Sequence, residues 1–276
     1  QHQGGTPWST FNGKPYSEYN KIHMTNVWLG SSICASTAVF EAAYVDSLKL
    51  KQMQRHLIMI GGKYLFVLDS MKSDDPHQYE WRLHSDKEAK EISKNKFSME
   101  NGNARLVIQN LLPVEKSSID PTIVETELYD MTRSRPQQRG FHISLVSPKQ
   151  KDYQFLTAMS TQNSPNKADA FSAAKTGENK IEALEGGEKC TAWIGSGKEL
   201  AGTFAYILSD SKGIKSLGLS GKSLTTDTGA FILKNEGQVI LRRSAAGEWE
   251  AENTVRQPNE ITIEIKGQGI KKLSLK

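Results

Sequence analysis

The sequence predicts an all-β protein, an antiparallel sandwich followed by a smaller C-terminal β unit. Three observations lead there. Apolar, β-branched and aromatic residues recur in short runs; turn-forming residues separate the runs; and no stretch holds a 3.6-residue period over a dozen positions with caps at both ends.

The clearest local signal is residues 57–69. Leu57-Ile58-Met59-Ile60 and Tyr64-Leu65-Phe66-Val67-Leu68-Asp69 flank Gly61-Gly62, and glycine tolerates the positive φ that a two-residue hairpin turn demands. Both arms are nearly continuous hydrophobes, which predicts a central hairpin buried on both faces. The run 37–45 reads as another strand. Further strands are predicted at 79–84, 105–109, 123–129, 141–146 and 154–160, with turn-formers at 73–76, 101–103 and 134–140. Residues 87–95 are the best helical stretch, and it is short.

Ser, Asn, Ala, Lys and Gly dominate residues 163–179, with Pro165 among them, as in a long surface loop or domain joint. Shorter, more polar strands follow at 189–194, 200–208, 214–219, 229–233, 239–243, 261–265 and 270–275. These patterns divide the chain into a leading segment or linker (1–26), a main sandwich (27–205) and a small C-terminal β unit (206–276).

The chain has 276 residues, 37% of them hydrophobic and 24% charged, enough apolar material for a core. Mean hydropathy is −0.52, and no apolar run approaches the ~18 residues of a membrane helix. The start, Gln1-His2-Gln3-Gly4-Gly5, has no Met and no signal peptide and reads like mature, trimmed or excised protein. The net charge of +4 is spread thinly, with no basic stripe, which argues against nucleic acid. Cys34 and Cys190 are too few and too far apart for a disulfide framework or a zinc ribbon; two buried free thiols are the plainer reading, and one long-range disulfide the other.

No phosphate loop, dinucleotide fingerprint, Gly-x-Ser-x-Gly elbow or His-Glu-x-x-His helix occurs. What organises the scattered His, Tyr, Trp and Arg residues is a resemblance. Gln54-Arg55-His56 opens a hydrophobic strand; after the Gly61-Gly62 turn comes an arm of the form Tyr64-x-x-Val67-x-Asp69; the strand Tyr79-x-Trp81-x-x-His84 follows, and Ala43-Tyr44 precedes Arg55 by about a dozen residues. In this order, over residues 23–85, the chain resembles the heparinase II/III-like polysaccharide lyases.

The resemblance implies an antiparallel β-supersandwich that works beside an N-terminal α/α toroid, of which nothing here resembles the sequence. It implies β-elimination on an acidic, uronic-acid-containing glycan, a glycosaminoglycan or alginate, in a bacterial periplasm or outside the cell. A chain holding only the sandwich is expected to be inactive alone, because the cleft needs both walls. Tyr44 resembles the family's sandwich-borne catalytic Tyr, a half-buried strand aromatic being the plainer reading. His23, in Ile22-His23-Met24-Thr25-Asn26, stands where the family has a His-x-Thr or His-Asn-Thr element at the sandwich entrance and is the second catalytic candidate, a surface or core histidine being the plainer reading. His56 stands where some members hold a structural zinc or other divalent cation, with His23, Glu41 or Asp46 as partners, although the spacing is not clean for zinc.

The remaining candidates come from chemistry. Arg133, Arg135 and Arg139 share a loop and suit carboxylate or sulfate; a solvated basic loop is the plainer reading. Alternation puts Tyr79, Trp81 and Leu83 on one face of their strand and Arg82 and His84 on the other, where His84 is a substrate contact or a packing residue. Trp28, like Trp8, can stack on a sugar or fill a core. A rival reading of the whole chain is a non-catalytic carbohydrate-binding or cell-surface β-sandwich, since fold alone does not select function.

Overall fold

The structure, a computed structural model, describes residues 10–11, 14–15, 22–124, 138–163, 171–255, 259–266 and 269–275. In chain order the first strands are β1 (Thr10–Phe11), β2 (Lys14–Pro15), β3 (His23–Gly30), β4 (Ile33–Val39), β5 (Leu50–Ile60), β6 (Tyr64–His77) and β7 (Glu80–Ser85). Then come β8 (Ala89–Ser93), β9 (Lys96–Asn101), β10 (Ala104–Asn110), β11 (Lys116–Val124), β12 (Gln138–Val146) and β13 (Gln150–Gln162). The last are β14 (Ser172–Lys175), β15 (Lys180–Glu185), β16 (Glu188–Ile194), β17 (Leu200–Asp210), β18 (Gly213–Thr226), β19 (Gly229–Arg243), β20 (Trp249–Asn253), β21 (Asn259–Ile265) and β22 (Gly269–Leu275). The only helical pieces among the described residues are two single 3-10 turns, and no helix is long and apolar enough to cross a membrane. The predicted all-β, antiparallel architecture is what the chain adopts.

Residues group into two compact units that are not consecutive stretches of chain. One comprises Gln1–His23, Ala38–Arg55 and Leu68–Ala168; the other comprises Met24–Thr37, His56–Val67 and Asp169–Lys276. The turn end of the β5–β6 hairpin thus belongs to the second unit and its far end to the first.

In the first unit the order β5-β6-β13-β10-β9-β8 makes one sheet, and β11-β12-β7 makes a second, three-stranded one. The small sheet is two-faced. Trp81 opposes Leu145 and Leu83 opposes Ile143 across β7 and β12, and Trp81, Leu145 and Ile143 are buried. The alternate positions, Glu80, Arg82 and His84, are exposed, as the alternation predicts.

In the second unit β14-β15-β16-β17-β18-β19-β21-β22 form one antiparallel sheet with β20 on β19. β17 runs through residue 206 and lies inside that sheet. Its core gathers Trp193, Leu217, Leu219, Phe231, Leu241 and Ile261, all essentially inaccessible. The hairpin turn is as predicted: Gly61 and Gly62 sit at φ +60° and +65°, and Lys63 N–H donates to the Ile60 carbonyl at 3.1 Å.

Three expectations need correction. The run 37–45 is not one strand: β4 ends at Val39, and 3-10 turns at Glu41–Ala43 and Asp46–Leu48 follow. Residues 87–95 hold a strand rather than a helix, because Ala89 and its neighbours pair with Met99 to Lys96 on β9, and ladder pairing outweighs a weak helical preference over nine residues. The stretch 163–179 contains β14, paired to β15; its residues 164–170 lie outside those described. Of the predicted strand 123–129, only its first two residues are described, as the end of β11.

Candidate functional site

The first unit contains a cavity of about 270 Å³, close to the lower end of ligand-pocket sizes. Its polar lining includes Tyr44, Arg55, Asp69, His77, Glu80 and Arg82; its apolar lining includes Phe40, Met53, Tyr79, Trp81 and Phe155. Local structure explains how Tyr44 reaches it. Phe40 N–H still pairs with the Met53 carbonyl, but Phe40 leaves the extended region, and the Glu41–Ala43 turn lifts the chain off the sheet. The turn is tied back when Glu41 accepts from Met53 N–H at 3.4 Å, and Tyr44 follows directly, its ring 6.5 Å from that of Phe40.

Arg55 and Asp69, from the facing strands β5 and β6, form a two-point ion pair: Nε donates to Oδ1 at 2.7 Å and Nη2 to Oδ2 at 2.8 Å. Asp69 is almost wholly buried, Arg55 only partly so. The hydrogen bond to Asp69 holds the Arg55 guanidinium even more firmly protonated than usual. The pair sets the field around Tyr44. Burial pushes the phenol above its ordinary value, Arg55 pulls it back and Asp69 pushes it up again, with a net rise. At neutral pH Tyr44 is therefore a proton donor.

His77 is the one imidazole of the lining. Its Nε2–H donates to the Leu48 carbonyl at 2.8 Å; a carbonyl can only accept, so neutral His77 carries its free lone pair on Nδ1. Beside it, Glu80 and Arg82 pair at 2.7 Å, and that hydrogen bond holds the Glu80 carboxyl below its ordinary range. Trp81 is buried, and among the described residues its Nε1–H has no acceptor. The cavity therefore offers a phenolic acid, an imidazole acceptor, a neutralised guanidinium and aromatic walls.

The predicted site residues separate. Tyr44 is in the cavity. His23 lies at the start of β3, exposed, and is not among the cavity's lining residues. His84 sits on the polar face of β7 directly opposite His142 of β12, with ring centroids 5.4 Å apart. His142 in turn approaches Asp120 at 3.8 Å. Arg133 and Arg135 lie outside the described residues; Arg139 is on β12, opposite Ile123, and its side chain is not described.

Trp28 is a correction. It is 0% exposed, its ring lies tilted against Tyr206 at 6.5 Å and its Nε1–H donates to Thr254 Oγ1 at 3.1 Å, so it is a core residue of the second unit and no sugar platform. His56, also in that unit, has Nδ1 2.9 Å from Thr37 Oγ1 and stands edge-on to Phe204. No three His, Cys, Asp or Glu side chains gather into a metal-holding group among the described residues. Both cysteines are free thiols; Cys190 is buried, whereas Cys34 is exposed, contrary to the expectation that both are buried. His77 and the Arg55–Asp69 pair are what sequence reasoning missed as site residues: all three stood inside the quoted motif span, but nothing local marked them as facing one cavity.

No protein-family model and no curated protein matches the chain. Among solved structures, it is similar to the heparan sulfate lyase HepC of Pedobacter heparinus. The match has a TM-score of 0.46 and 15% identity, over 59% of this chain and 26% of that one. A mutant of the same enzyme matches with the same score and identity over 61% of this chain and 27% of that one. The chain thus spans about a quarter of the length of those structures.

Proposed function

We propose that this chain is the β-sandwich part of a polysaccharide lyase that cleaves uronic-acid-containing glycans by β-elimination, with the Tyr44 cavity as its share of the cleft. The observation that carries the reading is one cavity holding a phenol kept protonated and an imidazole with its lone pair on a known nitrogen. β-Elimination needs both kinds of group. A base takes the C5 proton, the C5–H electrons form the C4–C5 double bond, and O4 departs with a proton from an acid. In this reading Tyr44 is the acid and His77 Nδ1 the base. The C5 proton is weakly acidic because the adjacent carboxylate is already anionic, so cationic groups facing that carboxylate lower the barrier. Arg55 serves this role only in part, because Asp69 already compensates its charge.

A toroid completes the cleft in this proposal, and the protein works in the periplasm or outside the cell. The second reading, a non-catalytic carbohydrate-binding sandwich, draws on the aromatic walls formed by Phe40, Tyr79, Trp81 and Phe155.

Titration of the chain with uronate-containing oligosaccharides, with ultraviolet detection of unsaturated product, tests both. Saturable binding that Arg82→Ala weakens, without product from this chain alone, is expected. In a protein that also carries the toroid, Tyr44→Phe is expected to lower kcat about 10²- to 10³-fold with little change in KM. Binding with no elimination in that longer protein selects the binding module. No binding at all removes both readings.

A further inference from the structure

A second pocket of the first unit, about 220 Å³ and separate from the Tyr44 cavity, opens where β9, β10 and the end of β7 meet. Its lining includes Asp86, Lys87, Glu100, Asn101, Arg105 and Thr161. The anomaly is Arg105. It opposes Glu100 on β9 and Gln162 on β13, and it points to the same face of β10 as Val107, which is fully buried. Its side chain is only 9% exposed.

A guanidinium at such a position is expensive unless fully paired, because desolvation disfavours the charge and each unused N–H forgoes the bond it had in water. Arg105 is poorly paired. Its ion pair among the described residues is a 4.0 Å approach to Glu100, whose own side chain is 49% exposed. Its Nε–H, cut off from solvent, has no acceptor among the described residues. A second cation, Lys87, lines the same pocket, as does its partner Asp86, which lies 3.6 Å from it and is 77% exposed. Two cations therefore line one space, and the two carboxylates that share it, Asp86 and Glu100, are each more exposed to solvent than the cation they approach.

We propose that Arg105 and Lys87 form an oxyanion-binding site that accepts a sulfate or carboxylate group. The guanidinium fork presents donors to two oxygens at once, and Lys87 adds a mobile charge from the open side. Ser85, Asn101 and Thr161 supply further polar lining. The site does not depend on the chemistry of the Tyr44 cavity.

The test is a titration of the ¹⁵N-labelled chain with sodium sulfate and, separately, sodium acetate, at constant ionic strength set with sodium chloride, following the Nε–H resonance of Arg105. A saturable shift with at least one anion is expected; sulfate alone identifies a tetrahedral oxyanion site, acetate alone a planar one. Lys87→Ala is expected to weaken the affinity about two- to fivefold, and Arg105→Gln to weaken it about tenfold or more. Where Arg105→Gln fails to fold, Arg105→Lys, which keeps the charge but loses the fork, is expected to weaken it as well. An Arg105 resonance unmoved by either anion, or drifting linearly as it does in chloride, overturns the site; so does full affinity in Lys87→Ala together with Arg105→Lys.

Discussion

Arg55 and Asp69 meet between β5 and β6 in a pair of hydrogen bonds of 2.7 and 2.8 Å, at the wall of the cavity that holds Tyr44. The pair does two things at once. It fixes the far end of the hairpin, and it places a positive and a negative charge where both act on the Tyr44 phenol, with opposite signs.

Breaking the pair from either side is therefore expected to move Tyr44 in opposite directions. Arg55→Gln removes the charge that lowers its pKa, so Tyr44 titrates higher; Asp69→Asn removes the one that raises it, so Tyr44 titrates lower. ¹³C NMR of the ring carbon bearing the hydroxyl reads both shifts. Asp69→Asn is also expected to cost about 2–3 kcal/mol in urea unfolding, since it leaves a half-buried guanidinium without its counter-ion. Two shifts of the same sign would show that the field at Tyr44 does not come from this pair.

Gly218 is one of the tight points in the second unit. A Cβ there would stand 2.2 Å from a Tyr206 ring carbon and 2.7 Å from one of Trp28. Both rings are fully buried, so neither can move aside. Gly218→Ala is expected to lose about 2–3 kcal/mol through overpacking. Gly62→Ala meets nothing within 4 Å and pays only for a positive φ of 65°, about 1 kcal/mol. Thermal unfolding of the two variants separates crowding from backbone strain; equal losses would contradict the crowding.

How much of this was legible in the sequence depends on how local the cause is. The β5–β6 hairpin could be read because glycines at the turn and hydrophobic arms act within a dozen residues. The end of β4 could not: residues 37–45 mix strand formers (Thr37, Val39, Phe40, Tyr44, Val45) with Ala and Glu and hold no Gly or Pro to mark a break, and what stops the strand at Val39 is the departure of Phe40 from extended geometry. That departure carries Tyr44 into the cavity, so the site's central residue was legible from motif order while its setting was not. The same limit hid His77, whose role rests on a bond to Leu48, 29 residues earlier. It also left Trp28 ambiguous, because only the packing of Tyr206 and the bond to Thr254 make it core.

The tyrosines predict the alkaline limit of stability. Burial raises Tyr44, Tyr64, Tyr153 and Tyr206 above the ordinary phenol value, and Glu188 adds to the rise at Tyr64 by charge and hydrogen bond. For a group whose folded pKa exceeds its unfolded value, the stabilisation is complete below the unfolded pKa, about 10, and is lost as pH climbs from there toward the folded value. Stability is therefore expected to be flat through neutrality and to fall above pH 10, by up to about 1.4 kcal/mol per pH unit for each such phenol. Tyr206→Phe, which forgoes the contact with Ser32 at 2.9 Å, is expected to be less stable at pH 7 but to show a shallower fall. Urea unfolding from pH 7 to 11.5, with tyrosinate absorbance recorded in parallel, checks this; ionisation of all eight tyrosines without unfolding would refute it.

At the acid end the Glu80–Arg82 pair gives the opposite sign. Arg82 and Ser144 both hydrogen-bond the Glu80 carboxylate, and its pKa lies below the ordinary value, with the Arg82 bond as the main cause. A depressed folded pKa contributes stability that is complete above the unfolded value, about 4.3, and that disappears as pH falls through the folded one. The two side chains are about half and a third exposed, so solvent screening limits the contribution to about 0.5 kcal/mol. Glu80→Gln is thus expected to be slightly less stable than the parent at pH 6, with the gap closing as pH falls below the ordinary carboxylate range. Because Glu80 and Arg82 line the Tyr44 cavity, the same variant tests whether this pair orders the wall: a gap between variant and parent that persists unchanged at pH 3 would mean that the Glu80 side chain acts there through packing rather than charge.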